Sequence, residues 1–519
     1  MPTMNYATII DDFIKDGFFS EYLPPVFSMR NRFDPCSISL SSSADLVPPM
    51  SFNMSRFSED GKRRTIYIPE FSSYLATVKF MKEKDIIKEI IEISEDDHSF
   101  SPLVQINGEL TRHERDYNFG ITIEEADQEV FKSTYIPNVV EKICRAKGAK
   151  GILSLDISNF YQSIYTHLIP SIRLGYENAE IQYKAQKANN TDPIISDDYR
   201  KYVELDELVR NMNEARTNGL LPGILISQFL AEALLSRVDS ELQQHGIKFV
   251  RYVDDYEVFI YDENDIEKTQ NIFIKTLSKY FLNLNNEKTK YTEFPYYVIE
   301  NLEKIYRDYL GTEHNVEDVM KLFNSFFDME KKGTKGAIRF LIKSLHRSMT
   351  PANDELLSAY LLNVLVNDSR SLVKVCELLI QKRENINFGD EELSLIDDLL
   401  INQINNNNHL ETIWLLYLRK KLFSKRLYSK ISNLIINSDN DIAKIIIIEE
   451  YKSSLSPAAI NKIIYSANSW LLCYQLFYGN YISKNEFSAK THITKNLSFY
   501  ARLKREGFSF YRNNIQVTV

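Results

Sequence analysis

The sequence predicts an α/β domain followed by an all-α domain. Before about residue 305, strand-like and helix-like stretches alternate and most of the Pro and Gly occurs. From 340 to 478 only Pro351, Gly389 and Pro457 interrupt a series of helical patterns. A length of 519 residues leaves room for two or three domains with sizeable cores.

In the first part, Ile152, Leu153 and Leu155 of "KGILSLDISNFYQSIYTHLIP" read as a buried strand with Asp156 at its end. Phe160, Ile164 and His167-Leu168 then recur at helical spacing. In "KFVRYVDDYEVFIYD", Phe249, Val250, Tyr252 and Val253 read as one short strand. Tyr256, Val258, Phe259, Ile260 and Tyr261 read as a second. β-branched and aromatic residues favour such half-buried, pleated positions. Asp254 and Asp255 then fall at the tip of a tight hairpin. In the second part, "DELLSAYLLNVLV", "SRSLVKVCELLI", "EELSLIDDLLINQI", "ETIWLLYLRKKLF" and "KRLYSKISNLII" repeat apolar residues at helical spacing. Polar breaks separate them, including a low-complexity loop from Asn402 to His409. Consecutive helices of this length predict an α-solenoid or an irregular bundle.

Composition excludes several classes. Apolar content of 44% and charged content of 26% are ordinary for a globular protein. The balance of 62 basic to 71 acidic residues, −9 overall, argues against a broad duplex-binding surface but allows a local basic pocket. The start, "MPTMNYATIIDDF", has no basic segment before an apolar core, and the longest aliphatic run, Ile445 to Ile448, cannot span a bilayer. Cys36, Cys144, Cys376 and Cys473 lie far apart without metal-type spacing, as expected of reduced, buried residues. The expectation is a cytoplasmic protein with no membrane partner.

Paired aspartates are not rare here: Asp11-Asp12, Asp96-Asp97, Asp197-Asp198 and Asp397-Asp398 also occur. What sets Asp254-Asp255 apart is the apolar hairpin around them. Two carboxylates held that close repel, and one keeps its proton unless a cation neutralises both. The pair is read either as an Asx-type turn facing water or as a site for a divalent metal with hard oxygen ligands. Asp156 is read either as a helix N-cap or as a third ligand. Together the three carboxylates have the makings of a two-metal clamp for nucleotidyl transfer.

These blocks resemble the palm of reverse transcriptases. "LDISNFY" resembles motif A, "GLLPGILISQFLAE" (Gly219 to Glu232) motif B, "RYVDD" motif C and "NLNNEKTK" (Asn283 to Lys290) motif D, in the family's order. Finer text, "DISNFYQSIYTHLIP", "RYVDDYEVF", "NNEKTKYTEFP" and "GTKGAIRFL", is similar to the abortive-infection (Abi) polymerases, and the length suits the shorter, prophage-borne type. That resemblance implies reverse-transcriptase-like palm and fingers followed by a HEAT-like helical domain in place of a thumb. Residues 1–95 would form an N-terminal segment and the start of the fingers, 96–305 fingers and palm, and 306–519 the helical domain. It also implies phage defence by a polymerase that joins deoxynucleoside triphosphates without a template. Its primer would be a protein hydroxyl, its product single-stranded DNA covalently attached to the protein, and its state a homo-oligomer, trimer or hexamer.

By the same resemblance, Asp156, Asp254 and Asp255 would hold Mg2+ (or Mn2+), with the Ile157 carbonyl as a backbone ligand. Tyr161 would lie under the sugar and exclude a 2′-hydroxyl, unless it is a core aromatic. Lys288 would protonate pyrophosphate, unless it is a surface lysine. Gly223 and Ser227 would shape the nucleotide pocket. Arg112, Arg115, Lys147 and Lys150 are candidate triphosphate cations that spacing does not separate from a solvated face. For the primer, Tyr22 in a Pro- and Ser-rich stretch and Tyr6 near the terminus are the candidates, ahead of Tyr67, Tyr74 and the Ser37 to Ser43 run.

The departures matter too. Leu221-Pro222-Gly223 stands where templated enzymes usually have Pro-Gln-Gly or Pro-x-Gly, and "TEFPYYVIENLEKIYRDYL" leads straight into helices without a recognisable thumb. Both favour untemplated synthesis. The alternative is a templated, RNA-directed DNA polymerase of retron or group II type. Intact Asp156, Asp254, Asp255 and Lys288 weigh against a degenerate palm that serves only as a scaffold.

Overall fold

The structure, a computed structural model, describes residues 6–54, 63–94, 98–101, 103, 135–188, 195–296, 302–348, 354–384, 386 and 388–512. Arg112 and Arg115 lie outside these residues, as does the side chain of Tyr6. The described strands are β1 (Met50–Met54), β2 (Arg64–Ile68), β3 (Gly151–Asp156), β4 (Phe249–Tyr252), β5 (Asp255–Ile260) and β6 (Lys290–Glu293).

β1 pairs with β2, while the other four form one sheet in the order β4-β5-β3-β6 with every pairing antiparallel. Directly paired residues share a face. Leu153 opposite Val258 and Leu155 opposite Tyr256 therefore face one way. There Tyr256, Phe249 and Phe273 meet edge-on or tilted, with Tyr256 and Phe273 at 5.2 Å. The opposite face packs Ile152, Val250 and Phe259 against Phe100, Ala146 and Ala149. With both faces covered, β3 is a buried strand, as its apolar run predicts. Asp156 closes it at the sheet's end.

Two local expectations need correction. Val253 is not in a strand: Tyr252 pairs with Asp255, so Val253 and Asp254 form the turn and Asp255 begins β5. The helix after Asp156 is only one turn, Phe160–Ser163, because Ile164 returns to extended backbone before a 3-10 turn at Thr166–Leu168.

The chain divides into two units, one of Met1–Phe18, Cys36–Pro49 and Ile68–Ile299, the other of Phe19–Pro35, Met50–Tyr67 and Glu300–Val519. The first holds the four-stranded sheet. Residues 1–95, expected to hold an N-terminal segment and the start of the fingers, contribute to both units.

The second unit is mainly helical, and the predicted helical stretches are helices. Leu372–Gln381 and Asp390–Asn405 both pack on His409–Leu422, which packs in turn on Asp441–Glu450. Packing on the next helix and the next but one is the pattern of a solenoid. His409–Leu422 is buried through its first eleven residues, His409 to Arg419. The asparagine-rich loop is shorter than expected, since the helix runs on to Asn405 and only Asn406–Asn408 separate it from the next. Of the four free cysteines, Cys376 and Cys473 are buried, but Cys144 is exposed and Cys36 half-buried. Cys144 sits in the last turn of the helix Tyr135–Arg145. Among the described residues no helix is long and apolar enough to cross a membrane.

Candidate active site

Antiparallel register brings the three aspartates to one place. Asp156, the last residue of β3, pairs directly with Asp255, the first of β5. Asp254 precedes it in the turn, and its carbonyl accepts the Ile157 N–H at 3.3 Å. Like charges directly opposite on a sheet destabilise it. Something must compensate, and part of the compensation is local. Lys288 donates to Asp156 Oδ1 at 2.6 Å, and Asn285 donates to Oδ2 at 3.1 Å. The backbone N–H of Asn285 also donates to the Asp156 carbonyl at 2.8 Å. Asp156 is buried while the Lys288 side chain is 62% exposed, so an exposed cation caps a buried carboxylate.

Asp255 is less well served. By surface area it is exposed, yet its carboxyl is pushed up to about 7. The largest cause is loss of water around the group, followed by the Asp254 charge and by the hydrogen bond and charge of Asp156; Lys288 opposes them. The area covers the whole side chain, whereas the shift reflects crowding at the carboxyl itself, and the direction follows from the three-carboxylate register.

The donor set, all carboxylate oxygen, has the chemistry of a Mg2+ site. As arranged, Asp156 is engaged by Lys288 and Asn285, and among the described residues no group of three or more His, Cys, Asp or Glu side chains is disposed to hold a metal ion.

A pH dependence follows. Without divalent cations the folded protein holds a proton on Asp255 that the unfolded chain, with a carboxyl near the usual value of about 4, gives up earlier. Between about pH 4 and pH 7 the folded state binds more protons, so this group's contribution to stability falls as pH rises through that window. Thermal melts in chelator are expected to show a downward slope that Asp255→Asn reduces. Equal slopes in the two proteins would show that Asp255 is not strained.

Of the other predicted residues, Tyr161 lies on a stretch that pairs with the one leading to Gly223 and Ser227. Residues 217–220 run against 161–166: Thr166 N–H donates to the Thr217 carbonyl at 3.0 Å, Gly219 N–H to Ile164 at 2.9 Å and Leu220 N–H to Tyr161 at 2.8 Å. Gly219 is required there, because its φ is +88° and a Cβ would lie 3.1 Å from Gln162 Cα. Tyr161 is half-buried, with its ring 5.3 Å from that of Phe160. Gly223, at φ +108°, is half-buried just before the helix Leu225–Gln244, in whose first turn Ser227 is 2% exposed. Lys147 and Lys150 are both exposed.

Sequence reasoning missed Asn285, which sits inside the "NLNNEKTK" block, and it missed the support beneath the turn. Val253 holds φ at +57°, a left-handed value that is rare and costly for a β-branched residue. The only signal was Arg251, a lone charge in an apolar strand.

Residues 87–314 match the family model of reverse transcriptase (RNA-dependent DNA polymerase). Two solved structures are similar. The telomerase of Candida albicans in complex with a fragment of telomeric RNA shares 12% identity over 81% of this chain and 66% of that one, at a TM-score of 0.29. The apo telomerase of Candida tropicalis shares 10% identity over 82% of this chain and 70% of that one, at a TM-score of 0.32. This chain thus spans about two thirds of the telomerase lengths. No curated protein matches it.

Proposed function

Starting from a domain of the reverse transcriptase type, we propose that this chain is a cytoplasmic phage-defence DNA polymerase that joins deoxynucleotides without a template and primes on a protein hydroxyl. The observation that carries nucleotidyl transfer is the register of β3 on β5, with Asp156 opposite Asp255 and Asp254 in the adjoining turn. Two Mg2+ ions, or Mn2+ in their place, held by these carboxylates and the Ile157 carbonyl, would activate the attacking hydroxyl and neutralise the leaving pyrophosphate.

The chain's own residues supply the rest. As the hydroxyl oxygen bonds to the α-phosphorus, the bond to the pyrophosphate oxygen breaks and that oxygen takes a proton. Lys288 is the donor: its exposed ammonium reaches Asp156 and can swing away from it. Tyr161 walls off a 2′-hydroxyl, while Gly223 and Ser227 shape the pocket floor.

Leu221-Pro222-Gly223 supports untemplated synthesis, since it lacks the polar residue used to track a templating pair. The net charge of −9 also fits poorly with gripping a long duplex. One observation favours the templated alternative, namely the family model's own description as an RNA-dependent DNA polymerase.

For the primer, a phenol is a good nucleophile once its pKa of about 10 is lowered. Tyr74 is poorly suited, being fully buried with its hydroxyl donating to the Phe13 carbonyl at 2.6 Å. Tyr22 is half-buried in the mainly helical unit, its carbonyl accepting the Trp414 indole N–H at 2.6 Å. We favour Tyr22, with Tyr6 next. The product would be single-stranded DNA attached to a homo-oligomer, trimer or hexamer.

The test is to incubate purified protein with Mg2+ and one labelled deoxynucleotide, without nucleic acid, and to run a denaturing gel. Label travelling with the protein, and lost in Tyr22→Phe, is the expected result. Label that needs added template would replace this reading with the templated one. An adduct mapped elsewhere by mass spectrometry, with Tyr22→Phe fully active, would move the primer.

A further inference from the structure

Beneath the catalytic turn lies a closed polar network that the chemistry above does not use. Arg251, the last residue but one of β4, is 0% exposed, between Glu232 at 5% and Asp239 at 0%. Its Nε donates to Asp239 at 2.8 Å. One terminal nitrogen donates to Asp239 at 2.6 Å and Glu232 at 2.9 Å. The other donates to Glu232 at 2.8 Å and to the carbonyl of Val253 at 2.9 Å. Guanidinium has five N–H donors, and all are taken. Four hold carboxylates on the Leu225–Gln244 helix, and the fifth holds the turn.

The other side of Val253 is held as well. Its N–H donates to Ser101 Oγ at 2.9 Å, and Ser99 Oγ donates to Glu232 at 2.6 Å. The backbone of this segment is pinned to the same arginine: Phe100 N–H donates to the Arg251 carbonyl at 2.7 Å, and Arg251 N–H to His98 at 2.9 Å. Both backbone polar groups of Val253 thus end in a network centred on Arg251. Asp254 and Asp255 follow Val253 directly, so a change in its dihedral angles swings both carboxylates.

We propose that Arg251, with Ser101, is a positioning residue that clamps Val253 in its left-handed conformation and so aims Asp254 and Asp255 at Asp156. This rests on the polymerase reading for its consequence, but the clamp itself is measurable without catalysis. Charge alone cannot do the work. A lysine restores the positive charge between Glu232 and Asp239 but has three donors on one point and no planar fork, so it cannot reach both carboxylates and the Val253 carbonyl in the same geometry.

The test pairs Arg251→Lys with Ser101→Ala in the full chain. Ser101→Ala removes no charge and is the variant that speaks if Arg251→Lys fails to fold. Hydrogen exchange is followed by mass spectrometry on a peptide spanning Val253 to Tyr256, with a β3 peptide as the reference. The clamp predicts at least about tenfold faster exchange in the turn, unchanged exchange in β3, and kcat down about tenfold at an unchanged KM for the deoxynucleotide. Wild-type exchange in the turn of a folded variant overturns it, whatever happens to the rate. Equal acceleration in β3 also overturns it, since the network would then only stabilise the sheet. If the turn loosens as predicted but wild-type protein incorporates no nucleotide, the clamp stands and the polymerase reading falls.

Discussion

Asp254→Asn combined with Asp255→Asn is expected to abolish nucleotide incorporation, by about three orders of magnitude or more, while leaving the protein folded. The backbone contact at this site, Ile157 N–H to the Asp254 carbonyl, survives an isosteric change of side chain. What is lost is charge. Asparagine offers one weak oxygen donor in place of a carboxylate and cannot neutralise a divalent cation. The same change removes a carboxyl that loss of water, and after it the charges of Asp254 and Asp156, push up to about 7. The double variant is therefore expected to melt higher than wild type at pH 8 in chelator, and to gain less from added Mg2+. Loss of activity with a raised or equal melting temperature separates a damaged site from a damaged fold. Normal polymerisation by the double variant would end the assignment of Asp254 and Asp255 as the metal-holding carboxylates.

In the helical unit, Arg419→Ala is expected to cost about 3–5 kcal/mol, the usual result of leaving a buried charge without its partner. Arg419 is 0% exposed and Asp397 is 6% exposed, with Nε to Oδ1 at 2.6 Å. Its other donors satisfy the carbonyls of Lys425 at 3.1 Å and Arg426 at 3.0 Å, closing the loop after the His409–Leu422 helix. Alanine therefore strands one carboxylate and two carbonyls at once. Arg419→Met with Asp397→Leu, which removes both charges, is expected to recover part of the loss. Urea denaturation with a helical signal measures it. A single variant within about 0.5 kcal/mol of wild type would mean that water reaches Asp397.

Much of the site was legible in the sequence because it is local. β3 and the hairpin β4–β5 are short apolar runs whose carboxylates interrupt the pattern, and a tight turn pairs β4 with β5; the pairing of β3 with β5, which brings Asp156 to Asp255, is long-range and follows from no local signal. The two-part architecture was legible for a similar reason, since apolar residues at helical spacing need no knowledge of what they pack on. Val253 was misread because its side chain argues for a strand; only the network under it overrides that preference. The short helix at Phe160–Ser163 was misread because periodicity cannot register two extended residues, Ile164 and Tyr165, that break the run. Glu232 and Asp239 both lie on the Leu225–Gln244 helix. Their burial depends on Arg251, which lies outside that helix, so nothing within it could announce the pairing.

The assignment of segments to units has a kinetic consequence. Counting from Met1, the chain changes unit five times, the fourth of them at Ile68. Asn53 must wait for His409, to whose N–H its side chain is joined across 356 residues, and Arg63 for Glu411 across 348. Asn31 reaches Ser509 across 478. On the ribosome, the early strands of the second unit emerge long before the helices that complete them, and they stay unsatisfied until almost the whole chain is made. Contacts this distant in sequence slow folding, because the entropy of closing so large a loop must be met before the contact returns anything. Neither unit is a contiguous stretch of chain, so a stop codon near residue 299 would leave β1 and β2 without a partner helix rather than release a free polymerase domain.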